Sequence, residues 1–283
     1  MKILMIYPQI DAPLGTNHGI ASLAGVLHAN GHELDLMHVS EKYKPVPSSQ
    51  EIIEYIRETK PGLVGFSVMS QQMEWVEEKS KDIREVIPEL VQVIGGVHCT
   101  MVPDEVHKSK MFDYVCVGEG DWALLELMDS LEKGKTPHTL ANFRSWMGGV
   151  PVSNPVAPFP DLEKLPPLDY EVFDMQAVMK ETRGWMGILT SRGCPYKCTY
   201  CFNIEIVDQY IEDGADLPFV TVCPQCPRGE FWNPLQLSVL LDKIIADYKI
   251  DTSHVSLTGH SMGGRGVWDL ANKISARLAA ALP

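Results

Sequence analysis

Residues 1–135 alternate short apolar runs with amphipathic stretches five times over, and this alternation limits the possible folds more than any other feature of the chain. Lys2–Tyr7 is an apolar run stopped by Pro8, as a buried strand is. His18–Asn30 places Ile20, Leu23, Ala24 and Leu27 at helical spacing and stops at Gly31. Glu33–Val39 predicts a second strand, Ser48–Lys60 an amphipathic helix, Leu63–Val68 a third strand and Gln72–Ile87 a helix ended by Pro88. Leu90–Ile94 predicts a fourth strand stopped by Gly95-Gly96, followed by a short helix after Pro103. Tyr114–Val117 predicts a fifth strand and Asp121–Glu132 a helix with Asp121 as its N-cap. Strand–helix units of this length imply an α/β fold, a doubly wound parallel five-stranded sheet with helices on both faces. Ligands of such sheets bind beyond the carboxyl ends of the strands. The loops there are Pro8–His18, Ser67–Gln71, Gly95–Thr100 and Gly118–Gly120.

After residue 150 the pattern changes. Pro151, Pro155, Pro158, Pro160, Pro166 and Pro167 disfavour helix and sheet, so 151–184 reads as a semi-rigid linker. Trp185–Thr190 then predicts a strand. From about Asn203 the chain is acidic and weakly patterned, until Phe219–Val222 predicts a strand, Pro234–Tyr248 a strong amphipathic helix, Val255–Thr258 a strand and Gly266–Leu278 a last helix. The formal charge of −13 argues against a nucleic-acid surface, which needs a basic stripe. Met1–Ile10 lacks the length and cleavage site of a signal peptide, and no later stretch is long enough to span a membrane. A reducing cytoplasm is the expected compartment. There, an odd count of seven cysteines, three of them clustered, reads as metal binding and not as a disulfide framework.

The cluster is Cys194, Cys198 and Cys201, in the run Arg192-Gly193-Cys194-Pro195-Tyr196-Lys197-Cys198-Thr199-Tyr200-Cys201. Three thiolates on one short loop can hold three irons of a cubane cluster and leave the fourth iron open to chelate a substrate or cofactor. Ordinary electron-transfer clusters are closed by four cysteines. A structural zinc site, with a fourth ligand from Cys223, Cys226 or a histidine, is the other reading of the spacing.

These residues resemble the radical S-adenosylmethionine enzymes. The resemblance implies a [4Fe-4S] cluster on Cys194, Cys198 and Cys201, with Tyr200 beside the adenine of S-adenosylmethionine. It also implies a one-electron donor such as flavodoxin or ferredoxin. Upstream, Gly95-Gly96-Val97-His98-Cys99-Thr100-Met101-Val102-Pro103 and Asp113-Tyr114-Val115-Cys116-Val117-Gly118-Glu119-Gly120 look like the flavodoxin-like cobalamin-binding domain that precedes many such enzymes. That likeness implies cobalamin contacts from Ser67, Gly95, Gly96, His98, Gly118, Glu119 and Gly120. Physically, Gly95-Gly96 would let a bulky corrin approach the backbone closely. The known cobalamin ligand motif Asp-x-His-x-x-Gly is absent. His18 and His98 read as structural, so no strong protein ligand to cobalt is expected.

A second motif speaks of different chemistry. Strand Val255–Thr258, turn Gly259-His260-Ser261-Met262-Gly263 and a following helix form the context of a nucleophile elbow. Residues from about 211 to 270 resemble α/β-hydrolase esterases or peptidases, with Ser261 as nucleophile. Cys223 and Cys226 would then lie in a strand-end loop; in isolation their spacing also reads as half a zinc site or a redox pair. The elbow lacks its partners, because no histidine follows Gly263 and the triad runs serine, acid, histidine.

The expected organisation is a chimaera: a cobalamin-binding domain over 1–150, a linker over 151–184, the truncated start of a radical S-adenosylmethionine barrel over 185–206, and a partial α/β-hydrolase over 207–283. The expected activity is cobalamin-dependent radical chemistry, a methyl transfer or rearrangement on an unidentified small molecule or peptide. Serine hydrolysis and a non-catalytic cobalamin module are the alternatives. A fluorophosphonate probe followed by peptide mass spectrometry is expected to leave Ser261 unlabelled; labelling there would revive the hydrolase reading.

Overall fold

The computed structural model of the chain describes residues 1–42, 44–184, 186–187, 192, 233–247, 250–258 and 262–282. The chain divides into two units, Met1–Asp216 and Leu217–Pro283.

In the first unit, β1 (Lys2–Pro8) is central, and its sequence explains why. Successive side chains of a strand point to opposite faces. Ile3, Met5 and Tyr7 therefore enter one core and Leu4 and Ile6 the other. Both sets are buried, so helices must cover both faces. On the first face lie α1 (His18–Ala29) and α6 (Asp121–Glu132), which contribute Ile20, Ala24, Leu27, Leu124 and Leu127. On the second lie α2 (Ser49–Thr59), α3 (Met73–Val86), α4 (Val97–Met101) and α5 (Pro103–Lys108), with Ile52, Ile56, Val76, Ile83, Cys99 and Val106. The start of α2 is fixed by a capping box, in which Ser48 and Glu51 satisfy each other's backbone N–H groups.

The remaining strands of this sheet are β2 (Glu33–Val39), β3 (Leu63–Ser67), β4 (Val91–Gly95), β5 (Tyr114–Cys116), β6 (Phe143–Met147) and β7 (Val150–Ser153). Their order is β2-β1-β3-β4-β5-β6-β7. The first five are parallel, with Ile3 opposite Leu34 on one side and Leu63 on the other. The chain reverses direction across the sheet between β1 and β3, which is the topological switch point.

The expected five-stranded parallel sheet is thus corrected to seven strands. β6 and β7 add an antiparallel hairpin to the β5 edge. Gly148 and Gly149 form its two-residue turn, both with positive φ (58° and 83°), as a type I′ turn requires. Pro151 sits in β7, an edge strand, where a missing N–H is tolerated.

The proline-rich stretch is corrected as well. It is docked on the sheet unit and does not behave as a spacer. The Asp169 N–H donates to the Ala21 carbonyl at 2.8 Å, and the Asp169 carboxylate pairs with His28 at 2.7 Å. A side chain at Gly25 would collide with the Pro167 carbonyl oxygen, 2.3 Å from the position of its Cβ. The segment then forms α7 (Met175–Glu181) and buries Phe173 against His38, with ring centroids 5.6 Å apart.

In the second unit, α8 (Pro234–Asp247), β8 (Ser256–Thr258), α9 (Met262–Ile274) and β9 (Ala280–Leu282) are described. β8 and β9 pair in parallel, with α9 as the crossover between them. β9 was not expected from the sequence. The predicted strands over 185–190 and 219–222 lie outside the described residues, apart from Met186 and Gly187, which are not in a strand. Among the described residues no helix is long and apolar enough to cross a membrane.

His38 ties the docked segment to the sheet. It stacks on Tyr7 at 5.2 Å, and its Nε2 bonds the Gln9 side-chain oxygen at 2.7 Å. Burial, with a smaller contribution from Lys44, lowers its pKa from 6.5 to about 4. Between these values the unfolded chain takes up a proton that the folded chain refuses. His38 therefore favours the folded state fully above the unfolded pKa, and this contribution is lost as the pH falls toward 4. Urea midpoints at about pH 7 and about pH 4.5 check this: the stability gap between wild type and His38→Gln should narrow at the lower pH.

Candidate functional site

The carboxyl ends of the parallel strands form a rim of four loops, tied together by the hydrogen bonds of a few residues. After β1, the Gln9 side-chain oxygen accepts the Gly15 N–H at 3.1 Å. Asn17 caps α1 by accepting the Ile20 N–H at 3.1 Å, so His18 is the first residue of the helix and not its cap. The His18 Nδ1 and the Tyr170 hydroxyl are hydrogen-bonded at 2.7 Å.

After β3, the Val68 N–H donates to the Gly95 carbonyl at 3.0 Å, and the Val68 carbonyl accepts the His98 N–H at 3.3 Å. Gly96 makes this crossing possible. Its φ is +102°, and a Cβ on it would stand 2.7 Å from both the nitrogen and the oxygen of Val68. A Cβ on Gly95 would meet the Cβ of Cys116 at 3.3 Å. The two glycines are therefore used in joining the β3, β4 and β5 ends of the protein itself. Ser67 is half-buried at the end of β3, opposite Gly95. His98 is bonded through Nδ1 to the Ser70 hydroxyl at 2.9 Å.

After β5, the Gly118 N–H donates to the Thr100 hydroxyl at 3.0 Å, which joins the β4 and β5 loops. Gly120 is the N-cap of α6, and Asp121 its first residue, another correction to the sequence reading. Asp121 is buried and turned to other work. Its carboxylate accepts the Ser22 hydroxyl of α1 and two N–H groups of Arg192, at 2.5 and 3.1 Å. Arg192 also pairs with Glu119 at 2.6 Å. Glu119, expected at a cofactor, is thus engaged by a protein cation. Burial pushes its carboxyl pKa up, Arg192 draws it down and Asp121 raises it further.

Two further features of the rim bear on ligands. Gln72 is almost fully buried at the switch point; its amide N–H donates to the Ile10 carbonyl at 3.3 Å, and its side-chain oxygen has no partner among the described residues. An orphaned acceptor there fits a ligand that brings amide N–H groups, as the periphery of cobalamin does. Cys99 and Cys116 are buried and free. Burial raises both thiol pKa values, Cys116 to about 12, so neither is suited to be a thiolate ligand.

Sequence reasoning missed Gln72, Ser22, Asp121 and Arg192 as members of this edge. Signals existed for two of them: Ser22 falls on the apolar face of α1, and Arg192 directly precedes the cysteine run. The candidate ligands Cys194, Cys198 and Cys201, the adenine neighbour Tyr200 and the hydrolase serine Ser261 lie outside the described residues.

Residues 12–128 match the family model of the B12 binding domain. That match takes in β2 to β5 of the N-terminal sheet. The chain is 26% identical over 215 residues to an anaerobic magnesium-protoporphyrin IX monomethyl ester cyclase from Rubrivivax gelatinosus, a match covering 71% of the chain and 38% of that protein. Its fold is similar to OxsB, a cobalamin-dependent S-adenosylmethionine radical enzyme solved with aqua-cobalamin and S-adenosylmethionine bound (TM-score 0.60, 15% identity, 98% of the chain and 37% of OxsB). It is also similar to TsrM, a radical S-adenosylmethionine methyltransferase from Kitasatospora setae solved with cobalamin and a [4Fe-4S] cluster (TM-score 0.56, 17% identity, 75% of the chain and 45% of TsrM).

The chain is thus similar in sequence to the cyclase and in fold to OxsB and TsrM, and these matches support the expected cofactor set. The chain spans less than half the length of each of these three proteins. None of the three matches supports the α/β-hydrolase reading of 207–283 or a chimaera, and the likeness to OxsB extends over 98% of the chain.

Gly96→Ala should destabilise the first unit by about 2–4 kcal/mol, through a glycine-only backbone conformation and a clash with Val68. Urea denaturation followed by circular dichroism reads the loss; an unchanged midpoint would show that the loops cross differently.

Proposed function

We propose that the chain is the cobalamin-binding and cluster-loop portion of a cobalamin-dependent radical S-adenosylmethionine enzyme that performs a methyl transfer or a radical rearrangement. The observation that carries this reading is the order of parts: a B12-binding domain over 12–128, followed by three cysteines at Cys194, Cys198 and Cys201. That donor set suits iron, since three soft thiolates fill three corners of a cubane and leave one iron for a chelating cofactor. When bound, the cluster with S-adenosylmethionine supplies one-electron access to a carbon radical, and cobalamin supplies a cobalt centre able to carry a methyl group.

The chain's own residues have the holding tasks. Cys194, Cys198 and Cys201 ligate the cluster, and Tyr200 lies beside the adenine. The rim formed by the loops after β1, β3, β4 and β5 holds the corrin, with Gln72 and Ser67 offering hydrogen bonds to its amides. No strong protein ligand to cobalt is expected, because the chain lacks the Asp-x-His-x-x-Gly motif. The electron comes from a flavodoxin or ferredoxin, and the setting is a reducing cytoplasm. The substrate is a small molecule or peptide.

Anaerobic reconstitution is expected to give about four iron and four sulfide per chain. Cys194→Ala should lose the cluster and still shift the spectrum of hydroxocobalamin on titration. A wild-type chain that holds only zinc would sink the radical reading, and cobalamin binding without any cleavage of S-adenosylmethionine would leave a non-catalytic module.

A further inference from the structure

Arg192 stands two residues before Cys194, yet its side chain is bound entirely to the B12-binding domain's edge. Its Nη1 donates to Glu119 Oε2 at 2.6 Å and to Asp121 Oδ2 at 2.5 Å. Its Nη2 donates to the Ser22 hydroxyl at 2.7 Å and to Asp121 Oδ1 at 3.1 Å. The grip on Asp121 is a two-pronged fork, the arrangement for which a planar guanidinium is suited and an ammonium is not. The Ser22 hydroxyl in turn donates to Asp121, so one guanidinium closes a ring through α1, the β5 loop and α6.

Burial gives this ring its weight. The Asp121 side chain is 4% exposed and that of Arg192 15%. Without the guanidinium, the buried Asp121 carboxylate would stand beside Glu119, whose side chain is 30% exposed, and each would disfavour the other's charge. Seating the residue that leads into the cysteine run on the rim's acidic pair offsets this repulsion. Docking of that segment and completion of the rim are one event.

We infer that Arg192 is a positioning residue: it latches the start of the cysteine loop onto the strand-end rim, and so fixes the place of the cluster relative to the corrin. This rests on the function proposed above, but the latch itself is a property of the chain without cofactors. Glu119 and Asp121 then serve as the catch and not as cofactor ligands.

Two measurements test it. In the apoprotein, hydrogen exchange of the backbone around residues 186–192 should accelerate about tenfold or more in Arg192→Ala. Arg192→Lys, which keeps the charge and loses the fork, should fall between that variant and wild type. Arg192→Met combined with Asp121→Asn removes the guanidinium together with the more buried of the two carboxylates and should expose the same segment, should the single alanine variant fail to fold. Exchange unchanged from wild type in Arg192→Lys and in the double variant would overturn the latch, whatever cofactors bind.

In the reconstituted protein, pulsed electron paramagnetic resonance reads the dipolar coupling between the reduced cluster and cob(II)alamin. Wild type should give one narrow coupling and Arg192→Lys a broadened one, at unchanged iron and cobalamin content. An identical narrow coupling in both overturns the positioning role. A wild-type chain that takes up no cluster defeats the proposed function instead, and leaves the exchange measurement to decide the latch.

Discussion

Burial of β1 on both faces is the constraint from which the rest of the first unit follows. Ile3, Met5 and Tyr7 on one side and Leu4 and Ile6 on the other leave no polar face for water. Parallel neighbours on both edges and helices above and below are the arrangement that satisfies such a strand. Once α1 and α6 cover one face and α2, α3 and α5 the other, the strand ends are the part of the sheet left open to a ligand. The switch point between β1 and β3 then follows from the order β2-β1-β3, and the ligand edge is set by topology before any site residue is considered.

Most of the rim's backbone is committed to the protein. Val68, Gly95, Gly96 and His98 bind one another, and Gly118 binds Thr100. A rim locked in this way changes little when a ligand arrives, so less ordering is required at binding. Hydrogen bonding to a ligand falls to side chains, and the buried Gln72 oxygen is an acceptor without a partner among the described residues. The proline-rich segment adds to this rigidity from the other side. Phe173 and Asp169 hold it to β2 and α1, so the path from the B12-binding domain to the cysteine run starts from a fixed point.

The five parallel strands were legible because each is an apolar run bounded by glycine or proline, signals that are local in sequence. The hairpin β6–β7 was legible in principle, since Gly148-Gly149 is a type I′ signature, but Phe143–Met147 mixes Arg144 and Ser145 into an otherwise apolar run. The docked segment was not legible. Its anchors are single residues, Asp169, Tyr170 and Phe173, without a period, and proline density pointed to a spacer. Asp121 misled for a related reason: an acidic residue at a helix start is a cap by local chemistry, and only the fold brings Ser22 and Arg192 to it. Gly95-Gly96 was recognised as a site of close approach, and the group that the fold brings against Gly96 is Val68. Sequence reveals that a glycine is needed; the partner that needs it comes from topology.

The acidic pair at the rim is the remaining step. A corrin periphery is rich in neutral amides, which a neutral acceptor such as the Gln72 side-chain oxygen can receive without a buried charge. Two carboxylates at a cobalamin edge would be a poor choice if they faced the cofactor. They are a good one if they face a guanidinium. Glu119 and Asp121 make sense as the receiving half of a junction, and Arg192, next to the cysteines, as its other half. On the latch inferred above, this charge serves the connection between the rim and the cysteine run.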